Sequence, residues 1–364
     1  MPSMSMKRNI KRIIAFTAAG LSKGCRRIIN IDPQMARKTL ECWSPKPEGH
    51  CRTTNHIEIN YDLQIIIPAY NVERYIEQCL DSLRPMLNSR YEVLIQIIDD
   101  GSTDGTGAII DRFAESASGK VTVIHQENKG TSAARNYALR TLCGQYIMFI
   151  DSDDYLPDDF RVEELLEAAK GYDILSGDYR SIDVRHNRAT RCSVDPANMP
   201  GYPWGKLYHH SILEHFQFPE GFLFEDTPVK LILGRMTTKI CKLDNVIYCY
   251  RQNPAGITAT AGTNHNVIDS YWMTEQCTEE MGFFGIPFDQ ETFERVLYQT
   301  MINQMRSRKQ PLRIRKAIFT LTAELIRKAF PGCHSAKYPE TEDAIRKGQF
   351  YRFELLALAG KWSS

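Results

Sequence analysis

The sequence predicts an α/β protein: a mostly parallel, Rossmann-like sheet flanked by helices over 61–262, with a mainly helical region over 263–364. Three observations carry that prediction. Short apolar runs of buried-strand length alternate with segments of helical periodicity. Three of those runs end abruptly in polar, turn-forming clusters. From about residue 265 the periodicity is helical, with no further clear strand.

Residues 1–60 hold eleven Lys or Arg against four acids, lack sustained periodicity, and are predicted to be a basic, poorly structured leader. Within them IIAFTAAGL (13–21) follows four basic residues, but Lys23, Arg26 and Arg27 come next instead of a small-residue cleavage site. LQIIIP (63–68) reads as the first buried strand, and VERYIEQCLDSL (72–83) places Tyr75, Ile76, Cys79, Leu80 and Leu83 at helical spacing. VLIQII (93–98) is the second strand and runs into DDGSTDGT; GAIIDRFAES (107–116) is a helix. VTVIH (121–125), SAARNYALRTL (132–142) and YIMFI (146–150) continue the alternation as strand, helix and strand. Right-handed crossovers then give a parallel sheet, whose ligands bind beyond the carboxyl ends of its strands. PAYN, DDGS and DSDD each follow a strand directly, so all three are expected along one edge.

The bulk properties are those of a globular protein: 43% hydrophobic, 24% charged, formal net charge +1. So small a net charge gives no global field toward nucleic acid. The ten cysteines are scattered, without CxxC or Cys/His zinc spacing, and no Asn-x-Ser/Thr acceptor occurs, which points to a reducing cytosol. No apolar run approaches the ~20 residues of a spanning helix.

The expected edge is dense in carboxylates. Asp151 and Asp153 are two apart and would share a side in extended backbone, with Asp100 and Asp104 nearby. Clustered acids at a sheet edge repel one another unless a cation intervenes, and a hard divalent ion such as Mg²⁺ or Mn²⁺ takes one or two carboxylates together with phosphate oxygens and water. Such a site suits a diphosphate substrate. Asp158 or Asp159 is expected to cap the helix FRVEELLEAA (160–169). The alternative reading of DSD is a structural turn.

Four motifs in order, IIIPAYNVERYIEQCLDSL, IIDDGSTDGT, HQENKGTSAARN and YIMFIDSDDYL, resemble a family 2 glycosyltransferase of the GT-A fold, densely over 62–180. The resemblance continues through WGKLYHHSILEHFQFPEGFLFEDTPV (204–229) and YCYRQ (248–252), as in bacterial enzymes that build capsular, lipopolysaccharide or other surface glycans. It implies an inverting transfer from a nucleotide-diphospho-sugar, most simply a UDP-sugar, to a glycan or lipid-linked glycan acceptor. Pro68 and Tyr70 would lie beside the base, Asp100 at the uracil or ribose with Asp99 assisting, and Asp151 and Asp153 would form the DXD metal and ribose site. Arg135 would approach the nucleotide or diphosphate. Asp226 would be the general base with Glu225 its neighbour; the plainer alternative is that Asp226 or Thr227 caps a helix beginning near Pro228. Trp204 and Lys206 are candidates for the acceptor side, with core packing the alternative for Trp204. Arg251 is a candidate phosphate clamp, although residues 255–258 depart from the family's usual ending. The QxxRW motif of processive synthases is absent, so a single addition is expected.

LRIRKAIFTLTAELIRKAF (312–330) puts Ile318, Phe319, Leu325, Ile326 and Ala329 on one face, flanked by basic residues. That pattern admits peripheral contact with the inner face of the cytoplasmic membrane, or packing on the protein. Other function classes fit the residues less well. A sugar-phosphate nucleotidyltransferase would bring a Gly-rich loop where PAYNVERY stands, and a P-loop NTPase would need GxxxxGK[ST], which does not occur. A catalytically inactive nucleotide- or glycan-binding module would have no need of the acids at 100, 151, 153 and 226.

Overall fold

A computed structural model describes residues 24–25, 27–117, 119–195, 199–253, 256 and 264–363. The segment IIAFTAAGL, and residues 255, 257 and 258 of the departing stretch, lie outside the described residues. The chain divides into two compact units. One comprises Glu48–Gly221 and Glu225–Gly256; the other comprises the described residues up to Pro47, Phe222–Phe224 and those from 264 onward.

The first unit is built on one mixed sheet. Its strands are β1 (His56–Ala69), β2 (Val93–Asp99), β3 (Val121–His125), β4 (Thr141–Phe149), β5 (Ile174–Asp183), β6 (Arg188–Cys192), β7 (Lys206–His209) and β8 (Ile240–Arg251). Their order is β3-β2-β1-β4-β7-β5-β6, with β8 paired to β5. β3, β2, β1 and β4 run parallel, and the register pairs Ala69 with Asp99, Asp99 with His125, and Ile66 with Phe149. The carboxyl ends of these strands therefore finish side by side, as the sequence predicts. Leu63, Ile65, Ile67, Ile95, Ile97 and Met148 are fully buried, because helices on both faces of a parallel sheet leave no polar side. The predicted helices form at Glu73–Leu83, Thr106–Glu115, Thr131–Leu139 and Val162–Ala169.

Several local expectations are corrected. Asp158 and Asp159 do not cap the helix at 162; its N-cap is Arg161, whose guanidinium instead donates to the carbonyls of Asp158 (3.2 Å) and Phe160 (2.8 Å). No side-chain cap opens the segment after Pro228, which begins as a π-helical turn, Val229–Leu233. The leader is not wholly unstructured: Pro33–Trp43 is a helix, with Pro at its start and the Asp32 carboxylate accepting the Met35 N–H at 3.0 Å.

The second unit is helical among its described residues. Its main helices are Pro33–Trp43, Asp269–Glu280, Gln290–Arg306, Leu312–Ala329, Pro339–Arg346 and Phe350–Ser363. Helix Leu312–Ala329 forms as predicted and packs on Pro33–Trp43. Glu275 is buried and receives Arg37 at 2.5 Å and Lys46 at 3.2 Å. Of the predicted apolar face, Ile318, Phe319 and Ile326 are each 1% exposed or less, while Leu325 and Ala329 are half-buried, so most of that face packs inside the protein. Among the described residues no helix is long and apolar enough to cross a membrane.

Candidate active site

The loops that follow β1 and β2 are laced together. Asn71 takes a left-handed conformation (φ 49°), which asparagine tolerates, and its side-chain oxygen accepts the Thr103 N–H at 2.8 Å. Its own N–H donates to Ser102 Oγ (3.0 Å), that of Val72 to Thr106 Oγ1 (2.8 Å), and that of Gly105 to Glu73 Oε2 (2.6 Å). Gly101 has φ +77°, and a Cβ there would lie 2.8 Å from the Asn128 nitrogen, so only glycine fits. Pro68 is buried in β1, whereas Tyr70 is 48% exposed at the edge.

Asp99 and Asp100 are both buried and both engaged. Asp99 accepts the Ser102 N–H at 3.0 Å and meets His125 Nδ1 at 2.8 Å; that hydrogen bond raises the histidine's pKa. Asp100 accepts from Gln126 Nε2 (2.7 Å), Lys129 N–H (2.9 Å) and Gly130 N–H (2.8 Å). Its carboxylate thus holds the loop before helix Thr131–Leu139, a task its position in the sequence does not disclose.

Residues 151–154 form a turn, closed by the Asp154 N–H on the Asp151 carbonyl (2.9 Å), and not the extended stretch expected. The three acids separate by partner. Asp151 pairs with Arg135 at 2.8 Å, Asp153 accepts from Asn253 at 3.0 Å, and Asp154 accepts the Arg251 N–H at 2.6 Å. Burial raises the carboxyl pKa of Asp153, helped by Asp151, and raises that of Asp154 further, helped by Asp151 and Asp153. Asp154, for which the sequence offers no role, is 1% exposed and fastens the end of β8 to the turn.

Arg135, expected to approach the nucleotide or diphosphate, is committed here to two carboxylates of the protein. It is 3% exposed, lies over the Phe218 ring, and bridges Asp151 to Glu225 at 3.0 Å. Part of the positive charge that the clustered acids demand is therefore a side chain of the protein itself. Glu225 is pushed up to about 7 by burial, against the opposing pull of Arg135. The sign of the resulting pH dependence follows. Unfolded, Glu225 ionises near 4.5; folded, near 7. Its contribution to stability is complete below pH 4.5 and is lost as pH rises through 7. Glu225→Gln is expected to flatten that decline by on the order of 2–3 kcal/mol, read as the difference in unfolding free energy between about pH 5 and pH 7.5.

The other candidates sit deeper than expected. Trp204 is 5% exposed and stacked parallel to Tyr202 (3.7 Å), Tyr248 (4.6 Å) and Tyr250 (5.1 Å), so it packs the core instead of offering a face to a sugar. Lys206 is fully buried; its ammonium donates to the carbonyls of Tyr202 (2.6 Å) and Trp204 (3.4 Å), and burial drives its pKa well below the usual value. Arg251 lies between the rings of Tyr75 (4.6 Å) and Tyr155 (5.4 Å) and donates to Gln78 at 2.7 Å. Of the three, Arg251 reaches the acidic turn directly, through its N–H on Asp154.

Asp153 and Asp154 have no ion-pair partner among the described residues, and the donors here are oxygens, the chemistry of a hard divalent cation. No three His, Cys, Asp or Glu side chains among the described residues converge as a closed metal site. An ion held here would complete its shell with oxygens the protein does not supply.

Residues 64–224 match the family described as glycosyl transferase family 2. Among curated relatives, an uncharacterized glycosyltransferase of Bacillus subtilis, EpsJ, is 32% identical over 218 residues, which is 54% of this chain and 62% of that protein. The chain spans less than two thirds of the first curated relatives it matches, from 34% to 62% of their length. The Staphylococcus aureus protein TarS, residues 1–349 crystallised with UDP-GlcNAc, superposes with a TM-score of 0.65 at 18% identity, covering 83% of this chain and 92% of that one. A Pyrobaculum calidifontis mannosyltransferase in complex with GDP-Man and Mn²⁺ superposes at 0.50 with 17% identity, over 96% and 98%. The family match contains Asp99, Asp151 and Asp153: residues 64–224 are a glycosyl transferase family 2 domain, and the fold is GT-A.

Proposed function

We propose that this chain transfers a sugar, with inversion, from a nucleotide-diphospho-sugar to a hydroxyl of a bacterial surface glycan or glycolipid. The observation that carries the reading is the bridge Asp151–Arg135–Glu225, which ties the turn after β4 to the acidic pair at 225–226 on one sheet edge. The acceptor hydroxyl attacks the anomeric carbon as the bond to the diphosphate oxygen breaks on the opposite face. Asp226 takes the hydroxyl proton, and the nucleoside diphosphate leaves with the electron pair of the broken bond. Asp153, with Asp151, would hold Mn²⁺ or Mg²⁺, which offsets charge on the departing diphosphate. Arg135 orients both carboxylates it touches, and Tyr70 is the exposed ring on which a base can stack. UDP is the first donor nucleotide to try, since TarS was crystallised with UDP-GlcNAc; Mn²⁺ is the first metal, since the mannosyltransferase was crystallised with it.

The test is turnover of a UDP-sugar panel with Mn²⁺, followed by chelation. EDTA and Asp153→Ala are each expected to remove activity by at least about 100-fold, on the scale of losing one charge-stabilising group in a transition state, with the thermal melt of the variant retained. Full turnover in EDTA, or in Asp153→Ala, would sink the metal assignment.

A further inference from the structure

Helices Pro33–Trp43 and Leu312–Ala329 enclose a groove of about 620 Å³ on the helical unit. Its walls include Met35 (60% exposed), Trp43 and Leu312 (41% exposed), and Lys38, Arg313 and Lys316 also line it. No acid lines it, and none of the three cations has an ion-pair partner among the described residues. Arg313 lies over the Trp43 ring at 5.7 Å, and Lys316 over Tyr351 at 5.6 Å. Apolar side chains left in water next to uncompensated cations cost free energy twice, through exposed hydrocarbon and through mutual repulsion. Both costs are relieved by one kind of partner, an amphiphile with an anionic head and a hydrocarbon tail.

We infer that this groove docks the protein on an anionic phospholipid surface, with lipid phosphate against Lys38, Arg313 and Lys316 and acyl carbon against Met35, Trp43 and Leu312. The site differs from the apolar face that the pattern of 312–330 suggests, where Ile318, Phe319 and Ile326 are buried. Charge complementarity selects this occupant over the chain's own leader. Residues 1–31 carry seven Lys or Arg and no acid, so the leader is repelled by the groove's cations and drawn to the same anionic surface. The inference does not depend on the donor chemistry proposed above.

The test is co-sedimentation of the full chain with vesicles of phosphatidylcholine alone and with one part phosphatidylglycerol to two parts phosphatidylcholine. Binding is expected only to the anionic vesicles. The triple reversal Lys38→Glu, Arg313→Glu, Lys316→Glu should lower the partition on the order of a hundredfold. Met35→Asp with Leu312→Asp, at exposed positions that leave folding intact by circular dichroism, should also weaken it. Undiminished binding by the triple variant overturns the inference, as does equal binding to neutral vesicles. So does loss of binding when only Lys7, Arg8, Lys11 and Arg12 are changed to Gln while the groove variants bind normally. A concentration-dependent dimer broken by the Met35/Leu312 variant, without vesicle binding, would assign the groove to a second copy of the chain instead.

Discussion

Asp226→Asn is expected to lower the transfer rate by about 10²–10⁴-fold, the usual worth of a positioned general base, while donor binding survives. The amide keeps the size and one oxygen of the carboxylate but has negligible affinity for the hydroxyl proton. Single-turnover transfer and a donor-binding titration separate the two effects. A variant that binds donor and turns over at the parent rate would move the base elsewhere. Glu225, the nearest alternative, starts at a disadvantage because its carboxylate is already committed to Arg135. A variant that loses donor binding as well would mean that residue 226 shapes the donor pocket, which the same titration would reveal.

Arg135→Met is expected to destabilise the sheet unit by about 3–5 kcal/mol, the cost of stranding charges after one partner of a buried ionic network is removed. Asp151 and Glu225 both lose their cation, and the neighbouring Asp153 and Asp154 gain nothing in return. Arg135→Lys should recover only part of the loss, because an ammonium is a point charge and cannot span two carboxylates as a planar fork does. The discriminating measurement is denaturant unfolding of Arg135→Met beside the same variant carrying Asp151→Asn and Glu225→Gln. If stranded charge is the cause, the triple variant is the more stable. If it is no better, Arg135 acts by packing on Phe218 alone, and the ionic account fails.

The parallel half of the sheet is legible in the sequence because its chemistry is monotonous. IIIP, VLIQII and YIMFI lie between two layers of helix, so burial on both faces writes them as nearly continuous apolar runs, whereas VTVIH, at the end of the strand order, is only partly buried. β5 to β8 carry no such signature. Segments such as SGDYRSID and KLDN mix polar and apolar residues, and their pairing joins residues far apart in sequence, as in Gly177 with Leu243. The acids are visible, but their partners are not. Nothing in DSDD distinguishes an aspartate that meets an arginine sixteen residues back from one that holds a main-chain N–H ninety-seven residues ahead. Lys206 resembles a ligand in sequence because its burial is decided by the aromatic stack of Tyr202 and Trp204, and stacking depends on the fold. The helix at 33–43 has a readable signal in Asp32-Pro33, an N-cap residue followed by proline, which the basic composition around it obscures.

The pairing of helix Pro33–Trp43 with Leu312–Ala329 sets a timetable for synthesis. Helix Pro33–Trp43, with Ala36 and Leu40 destined for full burial, is made long before helix Leu312–Ala329, which packs on it. About 270 residues must be translated in between, which takes roughly 15–50 s at ordinary elongation rates. The sheet unit lies within that interval and can be complete while helix Pro33–Trp43 still waits. During the wait its apolar face is open to chaperones. The helical unit closes only after helix Leu312–Ala329 has emerged, so a nascent chain stalled before that point carries a finished sheet and an unpartnered helix Pro33–Trp43.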